Sequence, residues 1–192
     1  MRADAAGNAS KILDAAQRVM TTSGTWSLAQ IAKAAGVAEA TLYRHFPNRD
    51  ALARALYAQA WNEEIAPLIG TLMDAGAPRP TLVHIGDQLV DMLARHADEI
   101  RAVDDLASAT VELLTSHEEN LANLVHAAHE SGDLRPDFKP EDVATVFAIV
   151  AAGFTGVQAS PALRRRYLSL LFDGIDPDHA RPLPPLPDAR DD

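Results

Sequence analysis

The residues on either side of Gly36 constrain the fold more than any other part of the chain. Ser27 and Gln30 form the capping-box pattern that marks the start of a helix. Gly36 ends this helix, because glycine readily takes the left-handed conformation found at a helix C-terminus. A second short helix runs over about 38–45, and Pro47 ends it. Two helices of this length joined by a tight turn have the proportions of a helix-turn-helix.

The rest of the chain also has a helical pattern, because apolar residues recur at helical spacing and β-branched alternation is scarce. A first helix is expected to be capped by Asn8 or Ser10 and to end before Gly24. Further helices are predicted from Arg49 to the residues before Pro67, and at about 81–96, 98–107, 109–131, 141–158 and 161–173. The fold class is therefore all-α, with no internal repeat.

We expect three parts. A three-helix, helix-turn-helix DNA-binding domain occupies residues 1–48, and a helical ligand-binding and dimerisation domain occupies residues 49–176. Residues 177–192 contain five of the twelve prolines and are predicted to be a disordered tail.

Composition excludes several classes of protein. The chain of 192 residues has no cysteine, which excludes disulfides, thiolate metal sites and cysteine nucleophiles. The N-terminus has no apolar segment of signal-peptide length. The longest apolar run, 143–156, is shorter than the roughly 18 residues of a membrane span. These features predict a cytoplasmic protein without a membrane partner.

The net charge of −10 is unevenly distributed. Residues 1–60 carry seven Lys or Arg against four acids, whereas residues 61–192 carry 10 against 23. A weakly basic head on a strongly acidic body is consistent with a head that binds a polyanion. Chance asymmetry in an acidic protein explains the charge distribution equally well.

Helical geometry assigns an outward face to the second short helix. When Leu42 and Phe46 point to the core, Ala40 and Arg44 point away from it. Arginine pairs with guanine, a glutamate accepts from cytosine, and alanine contacts the thymine methyl group in a major groove. Hydroxyl groups suit phosphates. The candidate DNA-facing side chains on this helix are Glu39, Ala40, Thr41, Tyr43, Arg44 and His45. The alternative is an ordinary surface helix.

These residues also carry a family resemblance. The segments ILDAAQRVM and LAQIAKAAGVAEATLYRHFPNRDAL resemble the N-terminal domain of the tetracycline-repressor (TetR/AcrR) family, over residues 12–61. The resemblance implies a cytoplasmic homodimeric transcription regulator that binds a double-stranded DNA operator. Such regulators are usually repressors released by a small-molecule effector.

The resemblance also implies roles for individual residues. Positions that face the groove in the family fall on Glu39, Ala40 and His45, with Arg44 beside them. Phosphate-contacting positions fall on Ser27, Thr41, Tyr43 and Arg49. Two residues depart from the family pattern, since Ser27 stands where Thr is usual and Arg49 stands where Lys is usual.

An effector pocket is expected between the helices of the body, lined by large or polarizable side chains. The candidates are Trp61, Met92, His96, Leu106, Leu113, His117, Leu121, Phe147 and Phe154. Their mostly apolar character favours a hydrophobic or aromatic effector, and the acidic body leaves a cationic amphiphile open. The alternative for each residue is ordinary core.

The last two predicted helices are expected to form the dimer interface, because small residues on the first of them permit close helix contact and both are markedly apolar. The candidates are Ala148, Ala152, Gly156, Tyr167, Leu168 and Leu171. In the family these helices form a four-helix interface. Burial within the monomer is the alternative.

No pattern supports a metal site, a cofactor or catalysis. His126 and His129 have the i, i+3 spacing of a pair of metal ligands, but a solvated helix face explains them better. Gly-rich phosphate loops and nucleophile-elbow or zinc-protease motifs are missing from the sequence. The sequence therefore predicts a ligand-responsive DNA-binding regulator, not an enzyme. The alternative is a small-molecule-binding or interaction module that has lost specific DNA binding.

Overall fold

The computed structural model describes residues 2–22, 26–71, 78–154, 160–178 and 180–184. Over these residues it contains α-helices and no strand, which confirms the all-α fold class. The helices are α1 Arg2–Thr22, α2 Leu28–Ala35, α3 Glu39–His45, α4 Arg49–Glu64, α5 Ala66–Thr71, α6 Pro78–Arg95, α7 Ala97–Ile100, α8 Leu106–Thr115, α9 Glu118–Ser131, α10 Pro140–Phe154 and α11 Pro161–Asp173. None of the described helices is long and apolar enough to span a bilayer.

The helix-turn-helix forms as its end signals predict. The Ser27 hydroxyl accepts the N–H of Gln30, and the Gln30 side chain accepts the N–H of Ser27 at 2.8 Å. Gly36 ends α2 at φ 68°, in the left-handed region. Asn48 caps α4, because its Oδ1 accepts the N–H of Ala51 at 2.7 Å. Local hydrogen bonds therefore fix three of the helix ends in the N-terminal domain.

Some of the predicted helix limits are wrong. α1 begins at Arg2, so Asn8 and Ser10 lie inside it and do not cap it. The predicted helix over 98–107 ends early, at Ile100. α8 then begins at Leu106, because the Asp105 carboxylate accepts the N–H of Ser108 at 3.0 Å and forms a new helix start.

The predicted helix over 109–131 is likewise two helices, α8 and α9, which are joined by a turn at 116–117. α10 is described as far as Phe154, so the predicted end of this helix at 158 lies outside the described residues, as does Gly24.

The apolar side chains form two clusters, one in the helix-turn-helix domain and one in the body. The first contains buried residues of α1 to α3 together with Leu52 and Leu56 of α4. The second contains Ala53, Tyr57 and Trp61, which lie on another side of α4, and the buried faces of the body helices. α4 therefore belongs to both cores, so that one rigid element connects the two domains.

Residues 181–183 of the predicted tail are attached to the body. The buried Arg135 side chain pairs with Asp137 and donates to the carbonyl groups of Gly174 and Arg181. The N–H of Leu183 donates to Asp137 at 2.6 Å. The hydrogen bonds from Arg135 and Leu183 lower the pKa of Asp137 to about 2. The predicted domain limits are not tested by these contacts and remain predictions.

α6 and α11 pack closely at Gly86. A Cβ atom at Gly86 would lie 2.6 Å from Cε2 of Phe172. Phe172 is itself buried and packs edge-to-face against Phe147, with ring centroids 6.2 Å apart. The missing side chain of Gly86 therefore sets the distance between these two helices.

We predict that Gly86→Ala destabilises the fold. Alanine gains up to about 1 kcal/mol in helix propensity. Displacing the packed Phe172 ring costs about 1–3 kcal/mol, so the net loss should be about 1 kcal/mol in urea unfolding. Gly7→Ala in α1 is the matched control, because no described atom lies within 4 Å of its added Cβ. Equal effects of the two substitutions would contradict the assigned packing.

Candidate nucleic-acid interface and effector region

The burial of the side chains on α3 follows the pattern that helical geometry predicts. Leu42 is fully buried and Phe46 is 8% exposed, whereas Ala40 and Arg44 are exposed. Tyr43 is 47% exposed, which is unusual for an aromatic side chain. Buried apolar side chains thus hold α3 from one side and present its polar side chains on the other.

The ends of this face differ from one another. Glu39 is exposed in the first turn of α3, and Thr41 is half-buried. The half-buried His45 ring lies 6.2 Å from the ring of Phe46, and its Nε2 is buried with no hydrogen-bond partner among the described residues. His45 is therefore directed partly toward the interior.

Arg44 is available for a partner outside the chain. The alternative of an ion pair with Glu39 does not occur, since no described residue forms a salt bridge with Arg44. A guanidinium that is exposed and unpaired offers all its N–H donors to a base edge or a phosphate.

The remaining candidates lie at helix starts. Ser27 is exposed at the N-cap of α2, and Arg49 is the first residue of α4. The guanidinium carbon of Arg49 lies 3.9 Å from the centroid of the Trp26 ring. Helix N-termini carry partial positive charge and exposed N–H groups, which makes them suitable for phosphate oxygens.

Hydrogen bonds join the start of α4 to the body. The Asp50 carboxylate accepts the N–H of Asp104 at 2.9 Å and pairs with Arg54 at 3.0 Å. Arg54 in turn donates to the carbonyl of Asp105 at 3.3 Å and lies 3.6 Å from Glu112. The residue after Arg49 is therefore fixed to the loop before α8.

A cavity of about 650 Å³ opens beside this junction. Its lining includes Met20, Trp26, Arg49, Asp50, Arg101 and Asp104. This cavity has no signal in the sequence, because its walls come from separate segments that no periodicity connects.

The predicted effector residues are brought together in the body. Five are buried in one apolar cluster, and the half-buried Leu113 and Phe154 pack against it. The five are Trp61, Met92, Leu106, Leu121 and Phe147. Trp61 is fully buried, and its Nε1 has no hydrogen-bond partner among the described residues. An orphaned buried donor of this kind is unfavourable unless a ligand or a water accepts from it.

The predicted polar residues of the pocket lie at the margin of this cluster. His96 is half-buried and its Nε2 lies 2.9 Å from Glu64. Desolvation acts to raise the pKa of Glu64, but hydrogen bonds and charges from His96 and Arg95 outweigh it, so this pKa is lowered. His117 occupies the N-cap position of α9 without a side-chain capping bond.

A buried hydroxyl pair lies deeper in the body and was not predicted. The Tyr57 hydroxyl and Oγ1 of Thr110 are 2.8 Å apart. Burial raises the pKa of Tyr57 to about 12, although the bond to Thr110 acts in the opposite direction. Tyr57 is therefore a neutral phenol at physiological pH.

The predicted dimer residues divide between surface and core. Ala152 is exposed and Tyr167 is 51% exposed, whereas Leu171 is half-buried. Ala148 and Leu168 are buried within the protomer. Gly156 lies outside the described residues.

Both α10 and α11 carry exposed apolar residues that the site prediction only partly included. Ile149, Leu163 and Leu170 are exposed, and with Tyr167 they are called the apolar face of α10 and α11. The signal was present, because Leu163, Tyr167 and Leu170 are spaced i, i+4 and i+7 along one side of α11.

The two histidines with metal-ligand spacing have separate partners. His126 lies 3.4 Å from Glu130 on the exposed side of α9, while Nε2 of His129 lies 3.1 Å from the carbonyl oxygen of Arg135. The described residues contain no group of three or more ligating side chains that could hold a metal.

Both parts of the chain match models of known families. Residues 12–56 match bacterial regulatory proteins of the tetR family, and residues 77–177, more than half of the chain, match the C-terminal domain of SbtR-like transcriptional regulators. Comparison with curated protein sequences gives no significant match.

Solved structures share the fold. The RolR complex with resorcinol is 16% identical, with a TM-score of 0.71, over 97% of this chain and 100% of that one. The fatty acid degradation regulator FadR from Bacillus halodurans is 21% identical, with a TM-score of 0.61, over 86% and 98%. CprB from Streptomyces coelicolor A3(2) is 21% identical, with a TM-score of 0.57, over 90% and 91%.

Proposed function

The chain belongs to the tetR family of bacterial transcriptional regulators, and on this premise we propose that it is a homodimeric repressor released by a small hydrophobic or aromatic effector. The operator is a palindrome, because each protomer contributes one recognition helix. The observation that carries the proposal is the α3 surface, where Arg44 is exposed with no ion-pair partner among the described residues and Leu42 is buried behind it.

The side chains around α3 divide into two classes of contact. Arg44, Glu39 and Ala40 read base edges in the major groove, with the partly inward His45 at the end of the reading face. The phosphate contacts come from Ser27, Thr41, Tyr43 and Arg49. The exposure of Tyr43 and the position of Arg49 at a helix N-terminus support this second class.

We predict different effects of substitutions in the two classes. Arg44→Ala should cost about 1–3 kcal/mol on the preferred operator and relax the preference at one or two base pairs. Arg49→Ala should weaken binding to all duplexes equally and reduce the salt slope by about one. Tyr43→Phe should also weaken all duplexes equally. Fluorescence anisotropy with a library of duplexes at several salt concentrations measures both effects.

Lys139→Ala is the control for these variants, since it removes an exposed cation from the body. A uniform loss in Arg44→Ala would make Arg44 a phosphate contact. A wild-type protein that binds no duplex even at low salt would overturn the repressor proposal and favour an interaction module.

The apolar face of α10 and α11 is the proposed dimer interface. Ile149 is 55% exposed and Leu170 is 59% exposed in the single chain, so both helices carry large apolar side chains that a second copy would cover. Dimerisation places two recognition helices about 34 Å apart, or a multiple of that distance, along one side of the duplex.

We predict that Ala152→Arg gives monomers and abolishes operator binding, because it places a charge in a close contact between helices. Ala127→Arg on the exposed side of α9 is the matched control and should remain dimeric. Sedimentation at micromolar concentration distinguishes the two states. A wild-type monomer under these conditions would refute the interface.

Effector release requires a connection between the pocket and the DNA-binding head. α4 is the proposed lever, because it carries Arg49 at its start and Trp61 in the body core. A ligand that binds one head spacing better than the other shifts the equilibrium between them. The expected coupling is about 1–3 kcal/mol, or roughly 5–150-fold in operator affinity, and it must be reciprocal.

We predict that Phe147→Leu and Trp61→Phe change release by effector and leave operator affinity without effector unchanged. Each variant alters the wall of the proposed pocket far from α3 while keeping an apolar side chain. Operator affinity is measured with and without a panel of phenols, including resorcinol, the ligand of the RolR structure. A compound that releases both variants as it releases the wild type would place the pocket elsewhere.

A further inference from the structure

The Trp26 ring lies at the junction between α1 and α2 with one face covered by Arg49. Trp26 is 9% exposed and belongs to the apolar cluster of the helix-turn-helix domain. The guanidinium carbon of Arg49 is 3.9 Å from the ring centroid, although Arg49 as a whole is exposed. A buried ring thus supports an exposed cation.

The contact with Trp26 is the one that orients Arg49. The neighbouring carboxylate of Asp50 is occupied by Arg54 and by the N–H of Asp104. None of the described residues forms a salt bridge with Arg49. A guanidinium over an indole face is attracted by the negative charge of that face, and among aromatic side chains tryptophan gives the strongest attraction.

From this geometry we infer that Trp26 is a positioning residue for phosphate binding by Arg49, an inference that rests on the proposed DNA-binding function. The contact holds the Arg49 guanidinium against the Trp26 ring. The N–H donors of the guanidinium point outward from its edges, in its own plane, and so remain free to bind a phosphate. A planar fork oriented in advance loses less side-chain entropy when it binds a phosphate than a free one does.

The same contact favours arginine over lysine at the position of Arg49. An ammonium group is a compact point charge with no plane to stack, so the two residues are not interchangeable over an indole ring.

The stack also fixes two phosphate contacts relative to one another. Trp26 directly precedes Ser27, the N-cap of α2, and Arg49 is the first residue of α4. Contact between Trp26 and Arg49 therefore joins the starts of two helices that are separate in sequence, and both present donors to the DNA backbone.

The test weakens the ring face without changing its packing. Tetrafluorotryptophan is placed site-specifically at position 26, because fluorine withdraws the negative charge of the face while the ring keeps nearly its shape. Affinity for a duplex of random sequence should fall about two- to fivefold, the effect of a cation–π contact of about 0.5–1 kcal/mol.

A double-mutant cycle separates positioning from a structural role. In the Arg49→Gln background the label at position 26 should have no further effect, since no cation remains to be oriented. Trp26→Phe should retain part of the effect of the wild-type ring, and Trp26→Leu should retain none. Arg49→Lys should bind more weakly than the wild type and keep only part of its sensitivity to the label, because an ammonium is also attracted to the ring face but has no plane to stack on it.

An equal loss of affinity on labelling in the wild type and in the Arg49→Gln variant would overturn the positioning role. No change on labelling in the wild type would overturn it as well. Either result leaves the DNA-binding proposal intact, provided that the unlabelled protein binds duplex. Failure of the unlabelled protein to bind any duplex refutes the proposed function itself.

Discussion

The connection between the helix-turn-helix domain and the body depends on α4, which packs in the hydrophobic cores of both. Leu52 and Leu56 pack with the helix-turn-helix, and Tyr57 and Trp61 pack with the body. A helix that is packed into two cores transmits displacement from one to the other, because packed cores resist compression. Any movement of the body end of α4 must therefore be accommodated at the DNA-binding end, unless a core is disrupted.

Local chemistry made the N-terminal domain predictable from sequence. Ser27 with Gln30, Gly36 and Asn48 each fix a helix end through bonds to residues no more than four positions away. Between these ends, the spacing of Leu42 and Phe46 gives the orientation of α3. The outward direction of Ala40 and Arg44 follows from these few signals, and both residues are exposed as the helical geometry predicts. Contacts between the candidate residues and DNA stay a prediction.

The body was less predictable because its arrangement depends on contacts between distant residues. Asp105 begins a helix inside the segment 98–107 that the sequence predicts to be a single helix. The contact of Asp50 with the N–H of Asp104 spans 54 positions and has no sequence pattern. Gly86 resembles any other helical glycine until Phe172 is known to lie against it. For the predicted pocket and dimer residues, apolar spacing identifies a buried face but does not distinguish core from binding surface.

The uneven charge of the chain determines which part of the protein can approach DNA favourably. Residues 1–60 carry a small positive excess and the remaining residues a large negative one. An acidic body repels the phosphate backbone, so nonspecific contact with DNA is favourable only through the helix-turn-helix end. With so few basic residues in that end, each cation contributes a large share of the phosphate contacts. Orientation of a single one, such as Arg49 by Trp26, therefore matters more here than in a strongly basic DNA-binding domain.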